Sequence, residues 1–247
     1  MTETELYKDK QWLPTTKKEI EHLGWDYIDV IIFSGDAYID HPSMGSAVIG
    51  RILEANGYRV AIVPQPNWRD DLRDFTKLGK PRLFFGVSAG AMDSMVNHYT
   101  ANRRKRSDDA YTPNGKAGMR PDYPSIIYTQ ALKKLYPDVP VIIGGIEASM
   151  RRLSHYDYWQ DTLRPSILID SKADILVYGM GEKPILEIAN YLRDGKQISE
   201  LTDIPQTAIC VNASSIPEHL DSEKEELLHS HEECLKDKKL HAANFKV

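Results

Sequence analysis

The sequence is poor in cysteine: Cys210 and Cys234 are the only two among 247 residues, and they stand 24 positions apart. Two thiols cannot build a disulfide framework, and no Cys-x-x-Cys pair is present to hold zinc. Long apolar runs are also missing, since nothing approaches the roughly 18 residues needed to span a bilayer. The opening MTETELYKDKQW carries acids and no apolar core, so it does not read as a secretory signal. An excess of positive charge is absent as well: the formal net charge is −5 and the pI about 5.9, which removes any whole-chain argument for nucleic-acid binding. These absences lead to the expectation of a cytoplasmic, soluble protein that makes no contact with membranes.

What is present is a core-forming chain, 41% hydrophobic, whose apolar residues come in a repeating order. Val30, Ile31, Ile32 and Phe33 make a continuous apolar run closed by Ser34-Gly35, the pattern of a strand buried on both faces. Met44, Val48, Ile49, Ile52 and Leu53 follow at helical spacing, with Gly57 as a stop, and a second strand occupies 59–63. Further strands are expected near 82–86, 139–143 and 174–178, with helices at 89–99, 125–135 and after Gly181. Strands alternating with helices predict an open, doubly wound α/β domain of the flavodoxin-like type. Its parallel sheet should have about five strands and span residues 27–197. Residues 1–26 read as an N-terminal arm that packs on something. Residues 101–123, with the run Arg103-Arg104-Lys105-Arg106, read as a long loop with a solvated basic face. Residues 198–247 become rich in Glu, Lys and His and read as a connector or the start of a further domain.

In open α/β sheets ligands bind beyond the carboxyl ends of the strands. The loops expected there hold Asp36, Asp40 and His41 after the first strand and Ser88 after the third. Gly144, Gly145 and Glu147 follow the fourth, and Gly179, Gly181 and Glu182 the fifth. Their small residues let backbone amides approach a ligand closely, although strand-to-helix turns use glycine for their own geometry as well. Asp36, Asp40 and His41 crowd one loop and suit metal binding or acid–base work, or alternatively a helix cap and a backbone hydrogen bond.

Two other readings belong to different classes. Gly86-Val87-Ser88-Ala89-Gly90 matches G-x-S-x-G between a strand and a helix, the setting of a serine-hydrolase nucleophile. A triad also needs a histidine and an acid on later strands, and no later histidine follows a clear strand. The stretch at 151–159 interleaves Arg151 and Arg152 with Tyr156, Tyr158 and Trp159. Such a patch suits phosphate or single-stranded nucleic acid, and equally an interface between domains, where the same residue types are enriched.

The strings GDAYIDHPSMGSAVIGRILEANGYRVAIVPQPNW, GVSAGAMDSMVNHYTA, VIIGGIEASMRRLSHYDYW and ADILVYGMGE resemble the N-terminal region of the YgiQ family of radical S-adenosylmethionine (radical SAM) proteins, over about residues 29–206. The resemblance implies a complete chain in which a radical SAM domain follows this region. That domain would hold a four-iron four-sulfur cluster through a Cys-x3-Cys-x2-Cys loop and cleave S-adenosylmethionine to a radical acting on an unknown small-molecule substrate. It also implies a fold like the cobalamin-binding domains that often precede such barrels. The partner of this region is then its own C-terminal radical SAM domain. A lower-ligand histidine for cobalamin comes in D-x-H-x-x-G, whereas here Ile39 and Met44 stand where Asp and Gly are wanted around His41. With two cysteines this chain lacks the cluster ligands, so the expectation is that they lie in sequence beyond Val247.

Overall fold

A computed structural model describes residues 12–39, 44–212 and 225–246. The chain alternates between sheet and helix from the start. Helix α1 (Lys17–His22) precedes β1 (Val30–Ser34), α2 (Gly45–Ala55), β2 (Val60–Pro64), a short α3 (Arg73–Thr76) and β3 (Phe84–Ser88). Then come α4 (Ser94–His98), α5 (Pro124–Leu135), β4 (Val141–Gly144), α6 (Gly145–Met150), the strands β5 (His155–Asp157) and β6 (Thr162–Arg164), and α7 (Ile167–Ser171). Strand β7 (Ile175–Val177), α8 (Glu182–Arg193), β8 (Thr207–Ile209), α9 (His231–Lys236) and α10 (Lys238–Ala243) complete it.

The main sheet runs β2-β1-β3-β4-β7-β8, with every neighbouring pair parallel except β7 and β8. Its five parallel strands therefore take the 2-1-3-4-5 order of flavodoxin-like domains, in which the winding reverses between β1 and β3. The sheet is buried on both faces because its strands are apolar on both: all five residues of β1 are inaccessible. Alternation then sorts them. Ile31, Phe33, Phe85, Val87, Val141 and Ile143 face α3, α5, α6 and α7. Val30, Ile32, Phe84, Ile142 and Ile175 face α2 and α8.

The first face is packed by aromatic rings. Phe33 stacks on Phe75 at 5.2 Å and meets Phe85 edge-on at 5.7 Å, and Phe75 meets Tyr128 at 5.6 Å. On the second face α8 lays down Ile185, Ile188 and Ala189 at helical spacing. Leu13 is fully buried there beside Gly50 of α2, where a Cβ would overlap its side chain.

Two sequence expectations change. The sheet has six strands rather than about five, and β8 lies beyond residue 197; three half-buried residues at an edge leave no periodic signal. The helix expected over 89–99 is only α4. Gly90 at φ +111° turns the chain and the Asp93 carboxylate caps the helix by accepting from the Met95 and Val96 amides, so the segment before it is a bend rather than helix. The 101–123 segment is a loop as expected, with Arg103–Arg106 exposed, and buried Asp109, Thr112 and Arg120 anchor its later part.

Candidate functional site

At the carboxyl end of the sheet, on the α2/α8 face, lies a groove of about 380 Å³. Its floor is Val30, Ile32, Phe84, Gly86 and Ile142, and its walls are Ile49 and Leu53 of α2 and Ile185 of α8. Gly86 hollows the floor. It lies in register between Ile32 and a strand that carries Ile142 at the matching position, and a side chain there would stand in the space now open. The mouth is made by Ser46, Ser88, Gly144, Gly145, Gly179, Gly181 and Glu182. Gly145 takes φ +84°, and a Cβ on it would come 2.7 Å from Ser88 Oγ, so this close approach of two strand-end loops requires glycine. The groove sits by the β1/β3 reversal, where doubly wound sheets open a crevice.

Of the residues singled out in the sequence, Ser88, Gly144, Gly145, Gly179, Gly181 and Glu182 meet at this mouth. Asp36 and Glu147 lie apart from the lining. Asp36 is 2% exposed and accepts from the Ala91 amide at 2.6 Å and from Arg120 Nη1 at 2.7 Å. Arg120, itself 1% exposed, also donates from Nη1 to the Ala89 carbonyl at 2.9 Å and, from Nε and Nη2, to the Asp109 carboxylate. Burial raises the Asp36 carboxyl above its ordinary range, opposed by the Arg120 charge. Glu147 is fully buried and accepts from the Ser94 and Ser125 amides, both at 3.1 Å, so it ties the starts of α4 and α5 to α6. Asp40 and His41 lie outside the described residues.

The two rival classes gain no support. Ser88 Oγ accepts from the Gly90 amide at 3.2 Å, a local turn, and among the described residues no histidine is hydrogen-bonded to it. Arg151 is 7% exposed and paired with Asp93; burial opposes its charge, yet that bond holds its pKa above the ordinary value. Arg152 is exposed but donates to the Ser149 carbonyl and lies 4.9 Å from the Tyr178 ring. The 151–159 stretch enters a β5/β6 hairpin, in which Tyr123 donates to Asp157 at 2.5 Å.

A glycine-mouthed crevice on a 2-1-3-4-5 sheet fits many families; sequence decides among them. The family described as Radical SAM N-terminal matches residues 12–247. The chain belongs to this family. It is 62% identical to a UPF0313 protein of Bacteroides thetaiotaomicron over 97% of this chain and 40% of that one. A UPF0313 protein of Porphyromonas gingivalis is 66% identical over 95% of this chain and 37% of its own. The UPF0313 protein YgiQ of Escherichia coli is 58% identical over 81% of this chain and 27% of its own. This radical SAM N-terminal region thus spans well under half the length of the relatives it matches. Among solved structures, the radical SAM methyltransferase TsrM of Kitasatospora setae, with cobalamin and a [4Fe-4S] cluster bound, aligns at TM-score 0.46. That alignment has 18% identity and covers 73% of this chain and 27% of that one.

The two cysteines of this radical SAM N-terminal region cannot supply the three thiolates of a Cys-x3-Cys-x2-Cys cluster loop. Cys210 is exposed, whereas Cys234 is buried, its Sγ donating to the His229 carbonyl and accepting from Asn244 Nδ2. Among the described residues no three His, Cys, Asp or Glu side chains are placed to hold a metal ion, and no described helix is long and apolar enough to cross a membrane. Sequence reasoning missed Gly86 as the groove's floor and Arg120 as the lock behind it. Gly86 lies inside a strand, where only the register shows which face it hollows. Arg120 looked like one more charge in a polar loop.

Proposed function

We propose that this chain is the ligand-holding domain of a longer radical SAM enzyme, presenting a small molecule at the carboxyl edge of its sheet to a catalytic domain further along. The observation that carries the reading is the groove floored by Gly86. It is apolar inside and lined at its mouth by glycine amides, a shape for a slender, flat or apolar arm attached to a polar body. Val48, Ile146, Met150 and Met180 are exposed near that edge, and Met180 is 72% accessible, so the rim offers apolar surface for a following domain to cover. The domain division read from the sequence, with an α/β body at 27–197 and a connector after it, belongs to the same proposal.

In this reading the arm of a corrinoid would be held by Gly86, Ile32 and Ile142, and the backbone at Gly145 and Gly181 would meet its polar end. A corrinoid, when bound, supplies a cobalt centre. This chain's described residues contribute shape, exclusion of water and backbone donors, and no cobalt ligand is assigned to them.

The test is a visible-absorbance titration of the 247-residue chain with hydroxocobalamin, repeated with Gly86→Leu, which fills the floor. A saturable spectral shift in the wild type, weakened about tenfold or more in Gly86→Leu while the variant stays folded by circular dichroism, is the expected result. No shift in either protein removes the corrinoid, and equal shifts in both remove the groove as its seat.

A further inference from the structure

We propose that a second cavity, on the other side of the Arg120 lock, binds the phosphate group of a small molecule. This cavity, of about 420 Å³, lies between the Trp68-Arg69 turn, the end of α4 and the 105–122 part of the anchored loop. It is separate from the groove and does not depend on what the groove holds.

Its charges are unevenly spent. Arg120 is engaged by Asp36 and Asp109. Asp122 accepts from His98 Nδ1 at 2.7 Å and from the Tyr99 hydroxyl at 2.8 Å. What remains facing the space is Arg69, Lys105 and Arg106 against the carboxylates of Asp108 and Asp122, an excess of one positive charge. Two of these cations are held in place. Arg69 lies 4.3 Å over the Trp68 ring and donates from Nη2 to the Gly118 carbonyl, while Arg106 donates from Nε to the Val96 and Tyr99 carbonyls, which leaves its other nitrogens for the cavity.

The second observation is independent of charge. Asn97 lines the cavity, is 7% exposed, and its Nδ2 has no hydrogen-bond partner. His98 Nε2 is also buried and unpartnered beside it, but with Nδ1 donating to Asp122 it is an acceptor in the neutral ring, so Asn97 is the donor that the argument uses. A buried amide donor left unmade costs about 1–3 kcal/mol, so a native site retains one where a ligand or water supplies the acceptor. Phosphate suits the set better than a carboxylate does. Its oxygens accept from several directions at once, and the donors here come from three separate segments.

The experiment is isothermal titration calorimetry of the 247-residue chain with inorganic phosphate, glycerol 3-phosphate and succinate, at fixed ionic strength set by sodium chloride. Inorganic phosphate is expected to bind with a dissociation constant of about 1 mM or tighter, and glycerol 3-phosphate at least as tightly. Arg69→Ala with Lys105→Ala, both exposed positions, is expected to weaken phosphate about tenfold or more. Asn97→Leu, checked for an unchanged melting temperature, should weaken it as well, and Arg152→Ala should leave it unchanged. No phosphate heat up to about 10 mM means the cavity holds water alone and overturns the proposal. Phosphate binding untouched by the Arg69/Lys105 pair removes it from this cavity, and succinate binding above phosphate overturns the ligand class.

Discussion

The two faces of the central sheet are built from neighbouring residues of the same strands and end in opposite conditions. On the face toward α5, Phe33, Phe85 and Tyr128 interlock with Phe75 and leave no groove among the cavities described above. On the face toward α2 and α8, the residue next to Phe85 is Gly86, and the space its side chain would occupy stays open. The packed face holds aromatic rings in mutual contact, and the hollow face, beside the strand-order reversal, is the one we propose as the ligand's seat. Both faces carry a buried apolar core, and the difference between them is local to Gly86, where close packing is given up.

The comparison breaks most visibly at Phe85. Phe85→Ala is expected to cost about 3–5 kcal/mol in urea denaturation, because the site it leaves is walled by rings that cannot collapse into it. A cost under about 1 kcal/mol would mean that this face is not the stabilising one.

Next in size is the lock between the faces. Asp109 accepts two of the Arg120 nitrogens, so Asp109→Asn should cost about 3 kcal/mol by leaving buried charge poorly matched. Asp36→Asn should cost less, about 1 kcal/mol, since the amide oxygen can still accept from Arg120 or from the Ala91 amide while Asp109 keeps its bonds to the same guanidinium. The pH dependence follows from the direction of the shift. Burial holds the folded-state pKa of Asp36 above its ordinary value of 3.8, so the folded protein holds that proton more tightly than the unfolded chain. Its contribution to stability is complete below the unfolded value and is lost as pH rises through the raised folded value. The wild-type minus Asp36→Asn difference in unfolding free energy should therefore fall as pH is raised from acid. A difference that rises with pH would show that Arg120, not burial, governs this carboxyl.

The smallest effect is expected at Gly86→Ala. A Cβ there meets only ordinary contacts, Ile32 at 3.5 Å being the nearest, so stability should change by less than about 1 kcal/mol. Set beside Phe85→Ala, one position away, it measures directly how differently the two faces are packed.

Much of this was legible from the chain itself. Runs such as Val30 to Phe33 are apolar on both faces, which admits only a covered parallel sheet, and the glycines after each strand marked the edge where Ser88, Gly145 and Gly181 converge. What escaped depended on partners distant in sequence. Glu147 looked like a ligand-facing acid at a strand end, yet the amides of Ser94 and Ser125 hold it inside. Arg120 meets Asp36 across 84 positions, and no local pattern marks a loop arginine as buried. The β8 strand is too short for alternation to show.

The ends of the sheet bear on how the protein behaves in a crowded solution. An open row of amides and carbonyls invites another chain to add a strand, and from there to aggregate. On one side the Pro14 carbonyl accepts from the Ile62 amide while Leu13 is buried alongside, so the segment before α1 covers part of β2, which itself ends in Pro64. On the other side β8 reverses direction and stops after three residues. Strand addition is thus obstructed at both margins. Removing residues 12–15 would uncover β2, and self-association on storage, rather than loss of ligand, is the defect such a shortened protein should show first.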